Sequence, residues 1–300
     1  MRVDTRRGTS AEVRAALFFL APGLTVIVVF FFLPIAASFL LSATDFDLYA
    51  LADPSNVRVT GVSNYRALFS DPVFLTALRN TLVFVLLSSP LTVVVALVTA
   101  LLVNARVARW KGFFRTTFFA PVVTTLVAVA VVFKYVYHPR FGLLNRGLTL
   151  IGLPAVDWLG DPRFALVAIV ILAVWKNFGF STILFVAGLQ GIPESLYEAA
   201  RLDGAGRWQQ FRRITLPLLA PTMLLVGLTR TIDSFQLFAE PYVMTSGGPL
   251  NSTLTMALLM YKEGFRYWNM GRGAAIAFVL FGVILVATLI QFRLQKGGET

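Results

Sequence analysis

The sequence predicts an all-α polytopic membrane protein with six transmembrane helices and both termini in the cytoplasm. Three observations lead there. Of 300 residues, 57% are hydrophobic and only 14% charged, with a mean hydropathy of +0.75. That is too little charge to coat a soluble domain of this length. Several apolar runs reach the about 20 residues needed to cross roughly 30 Å of hydrocarbon. Basic residues are denser in alternate loops, as membrane topology requires. Backbone amides in lipid must bond within a helix or a closed barrel, and these runs are continuous rather than alternating, so they are helices.

The expected spans lie near 16–42, 80–103, 114–136, 163–189, 214–242 and 273–294, within a single domain over 1–300. The first follows "MRVDTRRGTSAEVR" and is longer than the 7–15 apolar residues of a signal peptide, so it reads as a retained anchor. Pro22 and Pro34 are tolerable there because neighbouring groups can satisfy the freed carbonyls. Before the second span, Ser70 or Asp71 offers an N-cap and Pro72 a first-turn residue. The third span ends near Lys134, a snorkelling residue, and "WKNFGF" sits in the fourth. "TSGGPLNST" at 245–253 is turn chemistry, and "TLTMALLMYKEGF" after it is too short to span.

Orientation follows from lysine and arginine in the loops. With the N-terminus inside, the segments 1–15, 104–115, 191–213 and the tail carry Arg2, Arg6, Arg7, Arg14, Arg106, Arg109, Lys111, Arg115, Arg201, Arg207, Arg212, Arg213, Arg293 and Lys296. The outer segments are longer in total and hold fewer.

Composition also excludes functions. The net charge of +11 is scattered over short loops, with no basic groove interleaved with aromatics, so nucleic acid is not an expected partner. Without cysteine there is no thiol nucleophile or cysteine–zinc site. The single histidine, His138, sits beside Pro139 in a loop and makes no metal cluster. No G-x-x-x-x-G-K-[ST] loop is present, so this chain does not bind ATP in that manner.

The segment 191–217 is the informative one. Pro193 and Glu194 open a short helix, "PESLYEAARLD", and Gly204 closes it. "RWQQFRRI" begins a second helix, and Pro217 marks the entry to the fifth span. A plain connector needs only a few residues. Small and apolar positions, Leu196, Ala199, Ala200 and Leu202, suit docking into a groove of another protein. The same composition suits a helix resting on lipid headgroups.

Glu198-Ala199-Ala200, then Gly204, Ile214 and Leu216-Pro217 at their spacing resemble the EAA loop of permease subunits in binding-protein-dependent ABC importers. "AGLQGIPESLYEAARLDGAGRWQQFRRITLPLLAP" and "TIDSFQLFAEPYVMTSGGPLNSTLT" are similar to the carbohydrate-uptake, maltose-type branch. "FFLAPGLTVIVVFFFLPIAASFLLS" and "GVSNYRALFSDPVF" extend the resemblance over nearly the whole chain. The resemblance implies a type I importer permease of the MetI-like fold in a bacterial or archaeal inner membrane. It implies a second homologous permease subunit, two ATP-binding-cassette ATPase subunits, which hold the ATP and magnesium, and an extracytoplasmic solute-binding protein. Glu198, Ala199, Ala200 and Gly204 take the place of the ATPase-coupling contacts, with Arg201 and Asp203 at their rim. The solute implied is a sugar or polyol, or alternatively a glycerol-phosphate ester.

Ionisable groups inside a span usually face a partner or an aqueous path. Thr229, Asp233, Gln236 and Glu240 recur along one stripe of a helical fifth span, and Arg230 can neutralise Asp233 at i, i+3. Packing of an ion pair and a polar wall for a hydroxyl-rich solute both fit. The resemblance favours the wall for Asp233, Ser234 and Gln236. Phe235, Tyr242 and Trp175 are candidate aromatic faces, and Glu240 and Asn177 further polar candidates. Lys176, next to Asn177, is expected to snorkel to an interface. A gradient-driven carrier would show internal repeats, and a membrane enzyme convergent acids or metal ligands; neither is visible.

Overall fold

A computed structural model describes residues 10–104 and 111–296. Of the basic loop residues, Arg2, Arg6, Arg7, Arg106 and Arg109 lie outside the described residues. Among those described, the chain is nearly all helical, and the only bridge between extended segments joins Thr44 and Val59.

Four helical stretches are long and apolar enough to cross a membrane: Arg14–Ser42, Pro72–Asn104, Pro162–Gln190 and Met270–Leu294. Two bent pairs bring the number to as many as six. The first stretch comprises α1 (Ser10–Ile27) and α2 (Leu33–Ser42), joined by a π-turn at Val28–Phe32. Its C-terminal end packs on the last helix, where Phe39 meets Phe278 edge-on at 5.1 Å.

Two small helices follow, α3 (Leu48–Ala52) and α4 (Ser63–Ser70). Asp71 then caps α5 (Pro72–Asn104) by accepting from the Val73 amide at 2.8 Å. The expected surface turn and second span are therefore one helix. Its 33 residues extend about 50 Å at 1.5 Å per residue, well beyond the hydrocarbon.

The expected third span is not straight. α6 (Lys111–Val123) and α7 (Leu126–Val136) meet in a break at Thr124–Thr125, with 106° between Thr116–Val123 and Leu126–Val136. The short helix α8 (Leu143–Leu150) leads to α9 (Pro162–Gln190). Asp161 caps α9 from the Arg163 amide, and the side-chain hydrogen bond from Arg163 holds its carboxyl below the ordinary range.

After the elbow described below, the fifth span is also broken. Arg207–Leu218 and Ala220–Met244 meet at 65°, next to Pro217 and Pro221. Its upper part is α13 (Ala220–Phe235) and α14 (Ala239–Met244). α15 (Met256–Tyr261) and a π-turn at Lys262–Arg266 precede the last span, α16 (Met270–Lys296).

α5 and α9 pack along their lengths, with α13 against α5 and α6 against α9. Small residues permit this. Ala96 and Ala100 of α5 are fully buried against Phe185, Val186 and Leu189 of α9, joined by Leu219 at the start of α13 and Val226 within it. A second cluster joins α7 to α9 through Val129, Ala130, Ala168, Ile169 and Leu172. A third cluster joins Leu68, Phe74, Phe235, Met256, Leu258 and Ile276.

Gly179 of α9 lies against the Phe118 carbonyl of α6, so an added Cβ would collide with backbone. Gly179→Ala is expected to cost about 1–3 kcal/mol despite alanine's better helix propensity. A clearly lower melting temperature of the detergent-solubilised protein checks this.

Candidate functional site

Two regions carry polar chemistry: the elbow between the fourth and fifth spans, and the broken upper half of the fifth span. The elbow consists of α10 (Glu194–Leu202), Gly204, and α11 (Arg207–Gln210), which runs on through a π-turn at Phe211–Thr215 into α12 (Leu216–Leu218). Pro193 is extended and sits just outside the helix rather than in its first turn. Gly204 has φ +77°, which only glycine adopts cheaply. Its amide donates to the Arg201 carbonyl at 3.1 Å, and the Ala205 amide to the Ala200 carbonyl at 2.8 Å. These paired bonds close the helix as a Schellman motif.

The second arm is tied back. Gln210 Nε2 donates to the Ala205 carbonyl at 2.7 Å, and the Tyr197 and Thr215 hydroxyls are bonded at 2.9 Å. The outer surface is open. Glu198, Ala199, Asp203 and Gly204 are exposed and Ala200 half-buried. Leu196, Leu202 and Trp208 are exposed too, Leu202 by 89%. Arg201, expected at the rim, pairs with Glu194 at 3.0 Å along α10.

In the fifth span the expected single stripe is cut. α13 ends at Phe235, and α14 begins only at Ala239. The break turns Gln236 to one side and Glu240 to the other. Asp233, Ser234, Glu240 and Asn177 line one cavity with Ser88, Thr92 and Arg230. Ser88 and Ser89 Oγ both donate to Ser234 Oγ, at 3.1 and 3.0 Å. Arg230 is paired with Asp233 at 2.6 Å and lies 5.8 Å from the Phe180 ring. This cavity holds about 40 Å³, far below the roughly 300–1,000 Å³ of ordinary ligand pockets.

Gln236 instead opens onto a groove of about 450 Å³, between α15 and α16, with Phe238, Tyr261, Phe265 and Phe281. Phe238 stacks on Tyr242 at 5.3 Å, and both meet Tyr261 edge-on. The sequence reading missed Phe238, Tyr261, Phe265 and Phe281. For the first three the signal was the aromatic density of "QLFAEPY" and "LLMYKEGF", which acquires meaning only once the break brings the two segments together; Phe281, in the last span, carried none.

The remaining aromatic candidates fall elsewhere. Phe235 is buried in the cluster with Leu68 and Met256 and lines neither the Gln236 groove nor the Asp233 cavity. Trp175 leans on Phe133 at 5.1 Å, away from both spaces. Lys176 does not snorkel. Its Nζ donates to the carbonyls of Pro121, Val122 (3.1 Å) and Thr124 (2.8 Å), the acceptors freed where α6 breaks from α7. Among the described residues, no group of three or more His, Cys, Asp or Glu is placed to hold a metal.

The fold and the elbow define a class, a transmembrane transport subunit rather than an enzyme. Residues 67–297 match the model described as binding-protein-dependent transport system inner membrane component, and the chain belongs to that family of ABC permeases. The lactose transport system permease protein LacF of Rhizobium radiobacter is 37% identical over 279 residues, 91% of each chain. The trehalose/maltose transport system permease protein MalF of Thermococcus litoralis is 34% identical over 288 residues, 95% of each. A chain of a solved bacterial ABC transporter that imports the acidic polysaccharide alginate shares the fold. Its TM-score is 0.79 at 24% identity, over 95% of this chain and 96% of that one.

Asp233 is half-exposed whereas Arg230 is nearly enclosed. Removing the acid therefore strands a buried cation, while removing both charges does not. Asp233→Asn is expected to cost about 2 kcal/mol, and adding Arg230→Met should restore most of it. Thermal melts of both variants read this directly. Lys176→Met removes the ammonium donor from the Val122 and Thr124 carbonyls and leaves Pro121 only the Thr124 hydroxyl, so it should lower the melting temperature more than Lys176→Arg does.

Proposed function

We propose that this chain is the transmembrane subunit of an ATP-driven sugar importer in a bacterial or archaeal cell membrane. Both termini and the elbow face the cytoplasm in this reading. A second permease, two ATPase subunits and an extracytoplasmic binding protein complete the assembly. The observation that carries the proposal is the exposed, Schellman-closed elbow with the EAA spacing. Its small residues Ala199, Ala200 and Gly204 let another protein approach closely, and Glu198, Asp203, Leu202 and Trp208 give that contact charge and apolar anchors. The chain is built to be gripped there, and the nucleotide chemistry belongs to the gripping subunit.

Sugar as the solute is supported by the names of the relatives, lactose and trehalose/maltose permeases, and by the aromatic groove. Sugars present hydroxyls at their edges and an apolar C–H face. Gln236 offers an amide that both donates and accepts, beside Phe238 and Tyr261. The groove between α15 and α16 fits this chemistry better than the 40 Å³ cavity does.

Two variants separate the two halves of the proposal. Gly204→Val forces a β-branched residue to φ +77° and should cut ATPase co-purification and sugar uptake at least about tenfold, with membrane insertion intact. Glu198→Arg should act in the same direction. Gln236→Ala should reduce uptake while ATPase co-purification stays normal. Uptake unchanged in Gln236→Ala would remove the groove from the path and leave the elbow proposal standing.

A further inference from the structure

The segment between α7 and α9 presents a surface that neither the elbow nor the groove uses. Its inner side is locked to the span ends. Asn145 of α8 is buried and donates through Nδ2 to the carbonyls of Pro139 (3.1 Å) and Val156 (2.8 Å). Its Oδ1 accepts from the Val156 amide (3.1 Å) and from Trp158 Nε1 (2.9 Å). Trp158 in turn packs on Tyr137, just past α7, at 5.9 Å and on Phe164, in the first turn of α9, at 6.1 Å. The Tyr137 hydroxyl closes the frame by donating to the Ala168 carbonyl of α9 at 2.8 Å. One residue layer separates α8 from the ends of both helices.

The outer side is apolar. Leu143, Leu150 and Ile151 are 68%, 86% and 72% exposed, and Phe141 and Leu153 flank them, also exposed. Gly152, at φ +79°, ends the helix: its amide and that of Leu153 return to the carbonyls of Thr149 and Leu148. That closure fixes Leu150 and Ile151 outward. Within 138–156 the charged residues are Arg140 and Arg146, both exposed, and no acid is present. A contiguous apolar face held rigid, with cations beside it, marks an interaction surface.

The position selects the occupant. The headgroup layer begins where spanning helices leave the hydrocarbon, roughly 5–7 Å deep on each side. α8 is tied through Asn145 and Trp158 to Tyr137, one residue past α7, and to Phe164 in the first turn of α9, which places it beside the ends of two segments apolar enough to span. We propose that α8 and the turn after it are an interfacial anchor seated in the headgroup layer. Leu143, Leu150 and Ile151 point into the upper acyl chains, and Arg140 and Arg146 pair with lipid phosphates.

The chain has no cysteine, so Leu150→Cys and Ile151→Cys each give a unique labelling position. The probe is an environment-sensitive fluorophore on the assembled importer, in nanodiscs of equal parts phosphatidylcholine and phosphatidylglycerol. Ser55→Cys, in the exposed loop after α3, is the aqueous reference. Retained ATP-driven uptake in each labelled variant shows that it is folded. Quenching by a lipid nitroxide at the upper acyl chain is expected to be at least about threefold stronger at 150 and 151 than at 55, with iodide quenching in the reverse order. In an Arg140→Gln/Arg146→Gln background, the excess quenching by nitroxide-labelled phosphatidylglycerol over phosphatidylcholine should disappear. Iodide access at 150 and 151 equal to that at 55 would overturn the proposal. So would iodide protection that arises only when the solute-binding protein is added, which would make this face a protein-docking surface.

Discussion

Where α6 breaks from α7 and where α13 ends, side chains take over backbone hydrogen bonds. No water is available in the hydrocarbon, so a carbonyl released by a break must be met by protein. At the break between α6 and α7 the donor is Lys176, reaching three carbonyls from the neighbouring α9. Just past the end of α13 the Leu237 carbonyl receives the Thr255 hydroxyl. Asn80 of α5 spans the carbonyls of Asn251 and Leu254. These crosslinks are also what hold the helices together, since apolar packing alone gives little preference for protein over lipid.

The same rule shapes the interior. Breaking the fifth span after Phe235 separates two polar environments that a continuous helix would have merged. On one side, Arg230 pairs with Asp233 and the serines of α5 bond Ser234, around a cavity of about 40 Å³. On the other, Gln236 stands beside a layer of aromatic rings with room for a ligand. Structural polarity and accessible polarity thus lie a few residues apart in sequence and on opposite sides of the bundle wall.

That division explains what the sequence could and could not disclose. Helical class follows from hydropathy, because the requirement for internal backbone bonding is local. The elbow was legible for the same reason. Helix ends are set by neighbours in sequence, and Gly204 occupies the left-handed position that its spacing implied. The breaks were not legible. Pro121 and Pro217 lie close to two of the breaks, but proline also occurs at 90 within the uninterrupted α5. Whether a proline bends a span depends on a donor elsewhere, such as Lys176, which sequence alone assigns to an interface. Once the fifth span breaks, periodicity counted through residues 229–240 loses its meaning, so Gln236 and Glu240 part company and Phe235 turns out to be core.

The hydroxyl contact between Tyr197 and Thr215 has a mechanical meaning. It braces the first arm of the elbow against the root of the fifth span, while the Gln210 bond ties the second arm back across the corner. Two such ties stiffen the corner. Under the proposed coupling, a sideways push on α10 would reach α12 and α13 as torque, with the arm between Glu198 and Thr215 setting its leverage, as in a bell-crank.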